Sequence, residues 1–294
     1  MIYFWRYIYG FLGLILLTLV LAIASLPDAK LHLVACDVGQ GDAILAVNRD
    51  TQVLIDGGAD KKVLDCLSRH MPFWDREIEM VILTHPEDDH YGGLIDVFRN
   101  YKVTNFLVNA VDSDKNGYQV LKKLVEESGA QVANPTSETS VRMGKLYLDI
   151  VWPSEGKIGE ENNSGRTNVL GAFTTKKDLN TFSVVVNLNF GNFDALLPGD
   201  IGPDVIGDIL AGGEIHDVEY LKIPHHGSKN GLTPALLAAS TPEIAVISVG
   251  QKNRYGHPNK EILDLLKEKE VKILRTDEVG DIEVLTDGRS WKIE

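Results

Sequence analysis

Residues Leu83 to Leu94 read LTHPEDDHYGGL and directly follow an apolar run, Met80 to Leu83, of the kind a buried strand requires. Within a few residues the stretch places His85, Glu87, Asp89 and His90 together. Two imidazoles and several carboxylates cannot all be buried unpaired, and a shared cation satisfies them together. The stretch therefore reads as a metal site on a strand end. The competing reading is a solvated helix start, with Asp88 and Asp89 near the positive end of a helix beginning about Tyr91.

Working outward, the chain alternates short apolar runs with polar turns. Leu31 to Ala35, Ala43 to Val47 and Gln52 to Ile55 read as adjoining strands, joined through Asp37-Val38-Gly39-Gln40-Gly41-Asp42 and followed by Asp56-Gly57-Gly58. Those turns put carboxylates at strand ends, where glycine lets backbone approach closely, and are equally readable as plain tight turns. Helical spacing of Val63, Leu64 and Leu67 predicts an amphipathic helix, with further helices over Leu94 to Phe98 and Tyr118 to Val125. Residues Ser154 to Asp178 are polar and weakly periodic, and read as a long loop between two halves of similar make-up.

The second half repeats the strand-then-polar-cluster arrangement. A hairpin over Ser183 to Leu188 and Phe193 to Leu197 ends at Pro198-Gly199-Asp200; Tyr220 to Ile223 ends at Pro224-His225-His226-Gly227-Ser228. Ile244 to Val249 precedes Arg254-Tyr255-Gly256-His257-Pro258, after which Ile262 to Leu266 reads as a helix and Lys272 to Leu274, Ile282 to Leu285 and Trp291 to Ile293 as closing strands. His85, His90, His225, His226 and His257 all lie just beyond strand ends, where a rigid scaffold presents loops. Strands alternating with helices imply sheets with helices on their outer faces.

Composition narrows the function. At 294 residues and 44% hydrophobic content the chain supports a large core, and a formal charge of -13 excludes a broad basic nucleic-acid face while leaving room for a local positive centre. Cys36 and Cys66 stand in no metal-binding spacing and read as ordinary buried residues without a disulfide framework. Tyr7 to Leu26 is uncharged and apolar, follows Arg6 and an aromatic cluster, and reads as a membrane anchor with the rest of the chain outside the cytoplasm. Ala22-Ile23-Ala24-Ser25 offers the alternative of a cleaved signal peptide and a secreted protein.

The ordered motifs THPEDDHYGGL, LLPGD, LKIPHHGS and NRYGHP, with DVGQGDA and LIDGG before them, resemble the metallo-β-lactamase superfamily. More narrowly, the chain is similar to the extracytoplasmic metallo-β-lactamase-like domain of ComEC-type competence proteins. The resemblance implies an αββα four-layer sandwich over residues 30–294, after an N-terminal anchor or signal peptide over 1–27. It also implies one or two divalent ions, manganese or zinc with magnesium a further option, held by His85, Glu87, Asp89, His90, Asp200 and His226. Glu87 stands where the family has its middle histidine, and no histidine lies between His90 and His216 to serve as the usual third ligand. Such a harder, more anionic set shifts preference from zinc toward manganese or magnesium.

On this resemblance Asp89 and His225 are the expected catalytic residues, His225 as a proton donor to the leaving oxygen. Asn180 and Ser183, in the region of the missing histidine, and Lys229, Arg254 and His257, in a positive rim shared with Lys252, are the expected substrate-binding residues. The implied activity is a metal-dependent phosphodiesterase or nuclease acting on DNA, with competence or DNA-uptake proteins as partners. The alternatives are a metal-binding module without turnover and a phosphodiesterase for a small cell-surface substrate.

Overall fold

The computed structural model describes residues 2–24, 27–162, 165 and 167–294, and the side chains of these except 2, 3 and 21–24. Strands β1 (Leu31–Ala35), β2 (Ile44–Asn48), β3 (Thr51–Ile55), β4 (Glu77–Leu83), β5 (Lys102–Val108) and β6 (Gln131–Ala133) build one sheet. Strands β7 (Ser140–Met143), β8 (Leu146–Trp152), β9 (Val185–Phe190), β10 (Phe193–Leu197), β11 (Tyr220–Lys222), β12 (Ile244–Ile247) and β13 (Lys272–Arg275) build the second. The chain then returns to the first with β14 (Ile282–Thr286) and β15 (Trp291–Ile293). The orders are β15-β14-β1-β2-β3-β4-β5-β6 and β13-β12-β11-β10-β9-β8-β7. In each sheet an antiparallel part continues into a parallel one, β3 to β6 in the first and β10 to β13 in the second.

Alternation along the strands decides the layers. Leu31, Leu33 and Ala35 of β1 face Leu148, Val186, Leu188 and Phe193 across the gap between sheets, while Val34 of the same strand faces outward. The outer face of the first sheet is covered by helices α2 (Lys62–His70), α4 (Leu94–Asn100) and α5 (Asn116–Ser128), through Val63, Leu67, Leu94, Phe98 and Leu121; α3 (Asp88–Tyr91) lies between them in sequence. Helix α6 (Glu155–Glu161) follows β8. Helices α7 (Pro203–Gly212), α8 (Pro234–Ser240) and α9 (Lys260–Glu268) cover the second sheet with Val205, Ile206, Leu236 and Ile262. Strands buried on both faces read as unbroken apolar runs, which is why Met80 to Leu83 and Ile244 to Ile247 are legible while their facing is not.

Several sequence expectations change here. The two halves exist, but the second sheet already begins at Ser140, ahead of the polar stretch, and that stretch contains α6, capped by Ser154 accepting from the Lys157 N–H. Cys36 and Cys66 form a disulfide, with Cα atoms 5.8 Å apart, contrary to their reading as unpaired buried residues. It ties the end of β1 to α2, and the spacing gave no hint of it because only the packing of α2 on the sheet brings the two together.

The helix Ile2–Ala24, α1 in this numbering, forms where the apolar run was read. Its described side chains, Phe4 to Val20, are predominantly exposed. Among the described residues no helix is long and apolar enough to cross a membrane, so the anchor is not shown. The side chains of the expected cleavage site, Ala22 to Ser25, lie outside the described residues.

Candidate metal centre

The strand ends converge as the sequence suggests. Thr84 and His85 follow β4, Asp56 follows β3, and Asp200 and His226 follow β10 and β11. The two sheets are joined at this edge by the Val184 N–H donating to Thr84 O at 2.9 Å, while the Asn109 side chain donates to both Thr84 O and Phe182 O. The metal stretch is also clamped from the side by the preceding glycine turns. Gly41, at φ +126°, lies so close to Asp89 that a Cβ there would sit 2.2 Å from its carbonyl oxygen, and the Gly57 N–H donates to His90 O at 2.7 Å. The DVGQGD and DGG turns are therefore part of the site's wall.

The imidazoles are fixed from behind. His90 Nδ1 donates to Asp56 Oδ2 at 2.7 Å, and His226 Nδ1 donates to Ser248 O at 3.0 Å. The Thr84 hydroxyl gives its proton to Asp56 Oδ2 at 2.8 Å, so its oxygen accepts from His85 Nδ1 at 3.0 Å. In all three rings the proton is thereby placed on Nδ1 and the lone pair on Nε2. All three Nε2 atoms are buried and lack a hydrogen-bond partner. His90 Nε2 and His226 Nε2 each lie 3.3 Å from Asp200 Oδ2, and His226 Nε2 lies 3.5 Å from Asp89 Oδ2. Those spacings match the edge of roughly 3.3–3.5 Å of a tetrahedron of donors with bonds of about 2.0–2.1 Å. The residues present thus fit a divalent ion.

Asp42, His90, Asp200 and His226 all lie buried with ligand atoms within 4.8 Å of one another. Asp42, however, stands on the Nδ1 side: its Oδ1 is 3.3 Å from His226 Nδ1 and its Oδ2 pairs with the Lys222 ammonium. Asp89 faces the orphaned Nε2 lone pair and is the better fourth donor on that ground. Glu87 is half-buried and lines the adjoining cavity beside Asp89. Burial, and next the Asp89 carboxylate, raises its pKa above the ordinary range.

Charge in the centre is strongly coupled. Burial disfavours the Asp200 carboxylate, but His226, His90 and Lys222 outweigh it and hold it well below the usual range. Burial likewise opposes the His90 cation, yet Asp200 and Asp56 hold its pKa well above the ordinary value. Protons and a metal ion compete for the same Nε2 lone pairs. His85 goes the other way, kept neutral first by burial and then by His90 beside it.

The expected substrate residues separate. A cavity of about 480 Å³ opens beside Asp89, with Glu87, Lys115, Lys252, Arg254 and Tyr255 among its lining. Arg254 is thus placed at the mouth, its guanidinium over the Tyr255 ring. His257 stacks on Tyr255 at 5.7 Å and meets His225 edge-on at 5.9 Å. Ser183 is fully buried, its Oγ beside His85 Nδ1 and accepting from the Asp200 N–H, so it lies behind these two residues and not on the cavity wall. Asn180 and Lys229 do not line this cavity; Asn180 Oδ1 is buried and Lys229 is exposed. His225 is half-buried, with a left-handed backbone at φ 52° that it shares with His226. Sequence reading missed Asp42, Asp56, Lys115, Lys222 and Tyr255 as site residues. The one signal for Lys222 was a charge within an apolar run, Tyr220 to Ile223.

A family profile described as the Metallo-beta-lactamase superfamily matches residues 36–251, and the chain belongs to that superfamily. It is 25% identical over 266 residues to ComE operon protein 3 of Bacillus subtilis, covering 84% of this chain and 32% of that one. It is 23% identical over 265 residues to Competence protein ComA of Neisseria gonorrhoeae, covering 88% and 33%. The chain thus spans about a third of the length of these relatives. The solved structure of the β-hydroxylase CmlA superposes with a TM-score of 0.50 at 14% identity, over 85% of this chain and 52% of that one, a likeness of fold alone.

Proposed function

We propose that the chain is a metal-dependent hydrolase acting on a phosphodiester, with DNA as its substrate, and that it works outside the cytoplasm. The observation that carries the reading is the set of three buried imidazoles whose Nε2 lone pairs lack partners beside Asp200 and Asp89. Asp89, His90, Asp200 and His226 would hold one ion; His85 with Glu87 would contribute to a second. Manganese or zinc suits this mix of nitrogen and oxygen donors, with magnesium favoured less. A bound divalent ion would supply Lewis-acid polarisation of a phosphoryl oxygen and an activated water.

The chain's own residues do the rest. Lys115, Lys252 and Arg254 attract and orient the anionic diester at the cavity mouth. His225, next to a ligand and half-exposed, gives the leaving oxygen its proton. DNA and association with DNA-uptake proteins are supported by the names of the relatives, one of which is a competence protein. Action outside the cytoplasm is supported by the Cys36–Cys66 disulfide, since such bonds persist in oxidising compartments.

A second reading is a metal-binding module without turnover, favoured by Glu87 in place of a histidine and by the missing third histidine; a small cell-surface phosphodiester is the other substrate compatible with the cavity. The test is metal content and turnover on single-stranded DNA and bis-p-nitrophenyl phosphate, with and without manganese or zinc. Metal-dependent turnover lost in Asp89→Ala is the expected result. Tight metal binding with no turnover on either substrate favours the module.

A further inference from the structure

Lys222 closes β11, is 1% exposed, and sits behind the candidate ligands. Its ammonium pairs with Asp42 Oδ2 and lies 3.4 Å from Asp200 Oδ1 and 3.3 Å from Gly199 O. Asp200 is thereby divided between two tasks. Its Oδ1 faces a fixed cation of the protein, while its Oδ2 alone lies 3.3 Å from His90 Nε2 and His226 Nε2.

A carboxylate chelating an ion through both oxygens must present both on one side. With an ammonium on Oδ1, Asp200 offers one. Asp42 completes the device as the ammonium's counter-charge, so the pair adds no net charge behind the ligands.

We propose that Lys222 is a positioning residue that restricts Asp200 to a single metal-facing oxygen and so fixes a low coordination number at the centre. This rests on the reading of the site as a divalent metal centre. Replacing the Asp42–Lys222 pair by neutral groups frees Asp200 to turn both oxygens inward, which raises the coordination number without removing a ligand.

The experiment uses the full chain with its disulfide intact, loaded with Co²⁺, as wild type, as Asp42→Asn, and as the charge-neutral double variant Lys222→Met with Asp42→Asn. Tetrahedral Co²⁺ absorbs visible light far more strongly than five- or six-coordinate Co²⁺. The expected result is strong absorption in wild type and Asp42→Asn, absorption several-fold weaker in the double variant, and equal cobalt content in all three. An unchanged spectrum in the double variant overturns the proposal, and so does equal weakening in Asp42→Asn alone, which would assign the effect to Asp42. Should circular dichroism show the double variant unfolded, Lys222→Gln is read in its place, with weakening expected and an unchanged spectrum overturning the proposal. Failure of wild type to take up cobalt overturns the metal-centre reading and this inference together, an outcome distinct from a cobalt protein whose spectrum does not respond.

Discussion

Asp56 Oδ2 lies 2.7 Å from His90 Nδ1, and both side chains are buried. The same carboxylate accepts the Thr84 N–H and hydroxyl through its two oxygens, each at 2.8 Å, so one residue orients His90 directly and His85 through Thr84. Partners of this kind set the tautomer and direction of a ligand ring.

Asp56→Asn is therefore expected to weaken metal binding about 10- to 100-fold while leaving the fold in place. Chelator competition against wild type measures it. Unchanged affinity would remove Asp56 from the support of the site.

The positive mouth predicts a salt-sensitive encounter. Lys252→Ala combined with Arg254→Ala should raise KM for a phosphodiester several-fold, with a smaller change in kcat, because the two exposed charges act on the encounter and each adds only modestly to binding. Measured across ionic strength, the variant's KM should respond less steeply than wild type. Equal slopes would mean that the two cations do not meet the substrate.

The disulfide encloses a segment of sequence separation 30. Replacing Cys36 and Cys66 together by alanine should lower stability by about 3–4 kcal/mol on the chain-entropy model. Urea denaturation compares the two proteins. Denaturing mass spectrometry without reductant should find no free thiol in wild type.

On the far side of the first sheet, His70 bonds Asp281 at 2.9 Å and also faces Glu283 Oε2 at 3.4 Å, while Glu283 Oε1 bonds His32. The Asp281 and Glu283 carboxylates lift the His70 pKa to about 9, above its ordinary 6.5. Its contribution is therefore whole below about pH 6.5 and is lost as pH rises through 9. Glu283, lowered chiefly by His32 and then His70, and Asp281, lowered by His70 against the cost of burial, both titrate at about 2. Their contribution is present above the ordinary carboxylate range and is lost as pH falls toward 2. His70→Gln should abolish roughly 1–2 kcal/mol of the stability lost between about pH 6.5 and 9, after allowance for solvent screening. Denaturation midpoints at three pH values would read it, and an undiminished alkaline decline in the variant would place its cause elsewhere.

The strands around the centre were legible because each is an apolar run ending in chemistry: Met80 to Leu83 before His85, Phe193 to Leu197 before Asp200, Tyr220 to Ile223 before His225. What stayed hidden depends on contacts between distant elements. Cys36 meets Cys66 only once α2 packs on the sheet; Lys222 meets Asp42 only once β11 and the glycine turn converge. Ser183 illustrates the reverse case. Its position next to the region of the missing histidine suggested a substrate contact, whereas its hydroxyl is spent on His85 and Asp200 beneath the surface. Strand β7 escaped notice because Ser140 to Met143 carries no fully buried residue to mark it, whereas β8 does alternate, with Leu146, Leu148 and Ile150 buried, and was readable.

The return of β14 to pair with β1 has a bearing on how the molecule is made. Leu33 is matched with Val284, so β1 leaves the ribosome well before the strand that covers one of its two edges. Until then the open side of β1 is an unpaired strand edge that can pair with other chains. Pulse-labelled nascent chains should accordingly stay protease-sensitive at β1 until synthesis has passed Thr286.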